Sequence, residues 1–130
     1  MKRQRGSTLV ESAFAVTSFA VLLAGIMEVA FTGFVANNVT FAAQKAARYA
    51  AVRGTASGHS ASLADVQGVA QSYAAPLTAG SVTVNVTWTP DHNPGSTVQV
   101  QVQFSIKPEI LPISGGILTL QSTARQTIVQ

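Results

Sequence analysis

The sequence predicts an α+β protein in which a long N-terminal helix precedes a small domain with one short helix and a roughly three-stranded antiparallel sheet. Three observations carry this prediction. The stretch from Ser12 to Met27 has no charged residue and no proline, and the next proline after it is Pro76. Beyond residue 81, apolar and polar residues alternate. A proline-free apolar stretch favours a continuous helix, and alternation with period two is typical of half-buried strands.

The first predicted element is a helix over residues 7–53, which would be roughly 70 Å long. Residues 9–30 form its transmembrane part, and residues 31–53 form an amphipathic extension with apolar and polar residues on opposite sides. Alanines at spacing four in this extension allow another element to approach closely. That element is the chain's own sheet or a partner helix. These alanines include Ala42, Ala46 and Ala50.

The small domain is predicted to span residues 63–130, after a polar linker over residues 54–62. Ser62 is a suitable N-cap for a short helix that ends before Pro76. Two alternating stretches, residues 81–89 and 98–106, predict a hairpin, and a weaker third strand begins at Leu118. The two helices are the elements available to cover the apolar face of this sheet.

The charge distribution limits the classes of partner. The formal net charge of +3 comes from Lys2, Arg3 and Arg5, and the remaining charged side chains balance. We therefore expect no basic patch on the folded domain and no nucleic-acid partner. The cations precede the apolar stretch, so the positive-inside rule places the N-terminus in the cytoplasm and the domain on the other side of the membrane.

No catalytic residue, metal site or cofactor is predicted, and we do not expect an enzyme. The chain has no cysteine, which excludes disulfides and thiolate metal ligands. His59 and His92 each lack a second ligand at metal-binding spacing and are expected to be solvated loop residues. Asp91 stands beside His92 but has no serine nucleophile placed with it.

The N-terminal pattern admits three interpretations. A cleaved signal peptide shares the order of cations and apolar residues, but no suitable cleavage site follows the apolar stretch. An uncleaved signal anchor would carry a periplasmic binding or sensor domain. In the third interpretation, Gly6, Ser7 and Glu11 resemble a type IV prepilin leader, with glutamate as the fifth residue after the cut. That resemblance implies cleavage between Gly6 and Ser7 by a prepilin peptidase, which would remove residues 1–6.

A second resemblance covers residues 5–54. The segments RGSTLVESAF, LLAGIMEVAF and FAAQKAARYAAVRG are similar to the TadE-like family of tight-adherence (Flp-type) pilus systems. It implies a minor pilin or pseudopilin-like subunit, held in the bacterial inner membrane by a single span with its domain in the periplasm, or carried into a fibre at the cell surface. The implied partners are the prepilin peptidase, other pilin-like subunits, the pilus assembly platform and membrane lipid.

Two acids frame the apolar stretch and receive different roles. Glu11 is the expected assembly or processing determinant, because the new amine of one subunit can pair with the Glu11 carboxylate of its neighbour. Glu28 matches the acid that closes the family's apolar stretch; it is either a second helix contact or a side chain among the headgroups. Lateral helix packing is expected from Phe14, Phe19, Leu22, Leu23 and Ile26.

Overall fold

The computed structural model describes residues 4–75, 77, 81–106 and 116–129. The N-terminal cations Lys2 and Arg3 and the predicted break at Gly115 lie outside the described residues. The predicted α+β fold class is confirmed: one long helix is followed by a short helix and a three-stranded antiparallel sheet. In chain order the elements are α1 (Gln4–Ala51), a 3₁₀ turn (Thr55–Ser57), α2 (Leu63–Ala74), β1 (Ser81–Thr89), β2 (Thr97–Ile106) and β3 (Leu118–Thr127).

Helix α1 is a continuous helix of 48 residues. It contains no proline, and it ends where the chain tightens into a last turn in which the Arg53 amide donates to the Ala50 carbonyl at 3.2 Å. Arg48 lies in this turn, where a cation interacts favourably with the partial negative charge of the helix C-terminus. Residues 6–51 form a helix that is long and apolar enough to cross a membrane.

Helix α2 begins at a capping box. The Ser62 hydroxyl accepts a hydrogen bond from the Asp65 amide at 3.2 Å, and the Asp65 carboxylate accepts one from the Ser62 amide at 3.0 Å. These bonds satisfy donors that the first helical turn leaves unpaired. The hydrogen bonds from Ser62 also hold the pKa of Asp65 below its ordinary value.

The second half of α1 and α2 pack side by side in antiparallel directions. At the start of α2, the Ala61 amide donates to the Arg53 carbonyl at 2.8 Å. Near the end of α2, the Tyr73 ring meets the Phe41 ring edge to face, with 5.4 Å between the ring centroids. The start of α2 therefore lies beside the end of α1, and its end lies beside the middle of α1.

The sheet has the order β1-β2-β3, with both pairs antiparallel. Alternate residues of the central strand point into the core, and Val98, Val100, Val102 and Phe104 are fully buried. Helix α1 covers β2 and β3, and α2 packs on β1, so both helices shield the apolar face as expected. The opposite face is polar and open to solvent, as a two-layer domain allows.

The domain covers only part of the apolar side of the α1 extension. The Phe31 side chain is 47% exposed, whereas Val35 is fully buried. The domain begins to cover α1 between these two residues. Helical periodicity identifies which side of a helix is apolar, but the length of that side in contact with a domain depends on where the sheet ends.

Candidate functional site

The first half of α1 exposes apolar side chains on all sides. Within residues 6–31, here called the apolar segment, no residue is buried by the rest of the described chain. Phe14 is 77% exposed, and Leu9 and Val29 are exposed to a similar degree. Each Å² of apolar surface left in water forgoes about 25 cal/mol of burial free energy. A surface of this extent marks contact with lipid or with other proteins.

The five predicted packing residues all lie on the apolar segment and are all exposed. At about 100° per residue they occupy roughly one half of the helix circumference. The chain itself provides no partner for this half within the described residues, so its side chains are available to lipid or a neighbouring helix. The five residues are Phe14, Phe19, Leu22, Leu23 and Ile26.

The predicted processing residues lie at the start of the same helix. Gly6, Ser7 and Glu11 are exposed, and α1 continues through all three. Ser7 and Glu11 are four residues apart, so they lie one turn apart on the same face. A Cβ atom at Gly6 would have no atom within 4 Å, so alanine fits there without a clash. Glu11 makes no hydrogen bond or ion pair with any other residue between 4 and 129 that the structure describes.

Glu28 occupies a different environment at the other end of the apolar segment. It is half-buried, and its Oε2 atom is inaccessible to solvent without a hydrogen-bond partner in the described part of the chain. Its backbone carbonyl accepts a hydrogen bond from the Thr32 hydroxyl at 2.9 Å. Glu11 and Glu28 are roughly 25 Å apart along the axis, so they form two separate positions rather than one site.

The alanines at spacing four in α1 are buried inside the domain. Ala42 and Ala46 are fully buried, and Ala50 is buried to nearly the same extent. They belong to one core with Val39 and Phe104. Small side chains let the sheet and α2 approach the α1 backbone closely, which is the first of the two interpretations open from the sequence.

The domain tip, far from the apolar segment, contains an ordered aromatic and polar cluster. His92 was expected to be solvated, but its ring stacks on Trp88 with 4.3 Å between centroids and an interplanar angle of 17°. Its carbonyl accepts a hydrogen bond from the Thr55 amide at 3.0 Å, which ties the β1–β2 loop to the 3₁₀ turn. Sequence spacing did not indicate this contact, because Thr55 and His92 are distant along the chain.

Asp91 organises the β1–β2 loop. Its carboxylate accepts hydrogen bonds from the Ser96 hydroxyl and from the backbone and side chain of Asn93. These bonds, with the one from Ser96 as the largest contribution, hold the pKa of Asp91 below its ordinary value. The serine thus donates directly to the aspartate, while the His92 ring lies against Trp88. The described residues contain no cluster of three or more metal-ligating side chains.

One groove between α1 and β3 is bordered by cations. Lys45 and Arg48 line it from α1, Arg125 belongs to the bordering strand, and no carboxylate among the described residues lines it with them. The Arg125 side chain donates to Gln99, so its charge lies on the outer face of the sheet. The balanced composition of the domain does not indicate this arrangement.

Comparison of the chain with protein-family models, with curated proteins and with solved structures gave no match. The function of the chain is therefore inferred from its own residues and geometry.

Proposed function

We propose that the chain is a minor pilin or pseudopilin-like subunit that acts in the assembly of a Flp-type pilus through its N-terminal helix. One observation carries the proposal: a single continuous helix has Gly6, Ser7 and Glu11 at its start, an exposed apolar segment after them, and the core of a small domain at its other end. This arrangement holds a domain outside the bilayer on a helix that lipid or neighbouring helices can surround.

The processing step would release residues 1–6. A prepilin peptidase would cut the peptide bond between Gly6 and Ser7 on the cytoplasmic side and leave a free amine on Ser7. In a bundle of such helices, this ammonium pairs with the Glu11 carboxylate of a neighbour. A charge at the edge of the hydrocarbon costs roughly 2.5 kcal/mol or more, so pairing the two charges favours association and sets the axial register.

Lateral contacts would supply most of the association energy. The apolar segment exposes Phe14, Phe19 and Leu22, and the described part of the domain does not cover them. Helices in a membrane gain little from hydrophobic transfer when they associate, so close packing and paired polar groups decide which helices bind. Glu28 lies at the opposite boundary, and its unpaired Oε2 atom would accept a hydrogen bond from a neighbouring helix once its side chain turns outward.

The test is the mature N-terminus of protein recovered from the membranes of its host, measured by intact mass and N-terminal sequencing. We expect the chain to begin at Ser7 and a Gly6→Ala variant to keep the leader. Gly33→Ala is the matched control, since both glycines lie in α1 and neither has an atom within 4 Å of an added Cβ. A wild-type chain that keeps its first six residues would overturn the proposal in favour of an uncleaved signal anchor with a periplasmic binding or sensor domain.

A further inference from the structure

A groove of about 430 Å³ separates the second half of α1 from the edge of the sheet. Gln44 and Arg48 line it from α1, and Ser122 and Ala124 line it from β3. The two β3 side chains point toward the helix layer but are too short to fill the space beside α1. The groove is therefore open along the strand.

The strand that borders the groove is an edge strand. Among the described residues β3 pairs with β2 alone, and Val100 and Val102 of β2 lie opposite Ala124 and Ser122. The Ile128 amide donates to the Ser96 carbonyl, so the antiparallel alternation directs the backbone groups of Thr123 and Arg125 away from β2. In the described part of the chain, no hydrogen bond from another element reaches those groups.

The opposite edge of the sheet is different. The Gln67 side chain of α2 donates to the outward carbonyl of Val84 on β1 at 3.1 Å. β1 therefore has one of its edge acceptors occupied by its own domain, and it carries no charged residue. Exposed edges usually pair with other strands unless something blocks them. The open edge and the charged groove thus coincide at β3.

Two cations of α1 make the groove electropositive, and no carboxylate among the described residues lines it with them. The Lys45 ammonium lies 5.0 Å from the centroid of the Phe41 ring. The Arg48 side chain has neither a hydrogen bond nor an ion pair among the residues that the structure describes. Arg125 Nε donates to the Gln99 side chain at 2.7 Å, so this third cation lies on the outer face of the sheet. Cations without a carboxylate beside them attract a segment of opposite charge and repel one of the same charge.

We propose that the groove binds an extended acidic segment of a partner protein, which adds to β3 as a fourth strand. Main-chain hydrogen bonds to Thr123 and Arg125 would hold the segment, and the carboxylates on its helix-facing side would face Lys45 and Arg48. A second copy of this chain fits less well, because β1 has no acid and another β3 edge would bring like charges together. This proposal goes beyond the pilin assignment and does not depend on leader processing.

The test uses the full chain, isotopically labelled, in detergent micelles. The probe is a ten-residue peptide of alternating glutamate and threonine with blocked termini. We expect concentration-dependent shifts of the backbone amide signals between residues 119 and 127, weakened by added salt. The double variant Lys45→Gln/Arg48→Gln should raise the Kd roughly three- to tenfold, as for partly exposed charge pairs. Arg53→Gln is the control, because Arg53 stacks on Tyr49 outside the groove.

Two further probes separate strand addition from general attraction to anions. A peptide with lysine in place of glutamate should not bind, and an acidic peptide N-methylated at alternate residues should lose most of its affinity because it lacks the strand donors. Equal binding of the N-methylated peptide, shifts confined to β1, or an unchanged Kd in the double variant would each overturn the proposal. Leader retention in the processing experiment would leave it intact, so the two proposals fail separately.

Discussion

The two halves of α1 belong to one continuous helix but differ in the size and the exposure of their apolar side chains. The apolar segment carries large side chains such as Phe14 and Leu22, and they are exposed. The second half carries small ones such as Ala46 and Val39, and they are fully or almost fully buried. The large side chains lie where the described part of the chain offers nothing to pack against, and the small ones lie where the sheet approaches the helix closely.

This difference shows that hydrophobicity alone does not indicate what a helix packs on. A helix that is apolar on every side requires lipid or protein around it, whereas one with a single apolar side requires one layer of cover. The change occurs between Phe31 and Val35. Substitutions of the same kind in the two halves should therefore have different consequences.

The largest contrast is expected from losing one phenylalanine in each half. Phe104→Ala, which removes a fully buried ring opposite α1, should lower the free energy of unfolding by about 3 to 5 kcal/mol. Phe14→Ala should change it by less than about 0.5 kcal/mol, because that ring is 77% exposed and the described domain does not cover it. Guanidinium unfolding of the chain in micelles, followed by the fluorescence of the single tryptophan, measures both. Equal losses would contradict the division of the helix.

A charge in the middle of the apolar segment should affect membrane insertion and leave the domain intact. Phe19→Arg is expected to cost about 2.5 to 3.5 kcal/mol of insertion free energy, since an arginine there lies near the centre of the span. Fractionation of cells into membrane and soluble material measures the effect. Arg48→Glu is the comparison, because residue 48 is exposed on the domain half and should not alter insertion.

An added side chain should be tolerated in one half and not in the other. Ala46→Leu forces extra volume between α1 and the sheet and should destabilise the domain by about 1 to 3 kcal/mol. Ala20→Leu adds the same atoms to an exposed position of the apolar segment and should leave domain stability unchanged. Thermal unfolding of the two variants side by side gives the comparison. A destabilising Ala20→Leu would mean that the first half also packs on the domain.

The smallest effect concerns pH and the domain tip. The hydrogen bond from Ser96 holds the pKa of Asp91 below its ordinary value of 3.8. A carboxyl group with a lowered pKa in the folded state stabilises the fold above its unfolded pKa, and this contribution disappears as the pH falls through the folded pKa. Between pH 5 and about 2, Asp91→Asn should therefore lose less stability than the wild type. If both proteins lose the same stability as the pH falls, protonation of Asp91 does not cause the loss.

The regular elements were largely predictable from the sequence, because they follow local periodicity. Strand alternation located β1 to the residue, and Ser62 before an apolar helical pattern marked the start of α2. The groove and the domain tip were not predictable, because they depend on pairs such as Arg48 with Ser122, or Thr55 with His92, which only the tertiary fold brings together. The sequence predicted β3 as a weak strand. Its short Ser122 and Ala124 side chains leave the groove open.

The central claim is that one helix lies in two environments, lipid for its first half and its own domain for its second. Because the chain has no cysteine, single-cysteine variants along α1 report on each position without background. In native membrane vesicles, Val16→Cys and Ala20→Cys should resist a water-soluble maleimide, and Asn37→Cys and Gln44→Cys should react only with reagent on the noncytoplasmic side. Rapid labelling of residues 16 and 20, or labelling of residues 37 and 44 from the cytoplasmic side, would contradict the account.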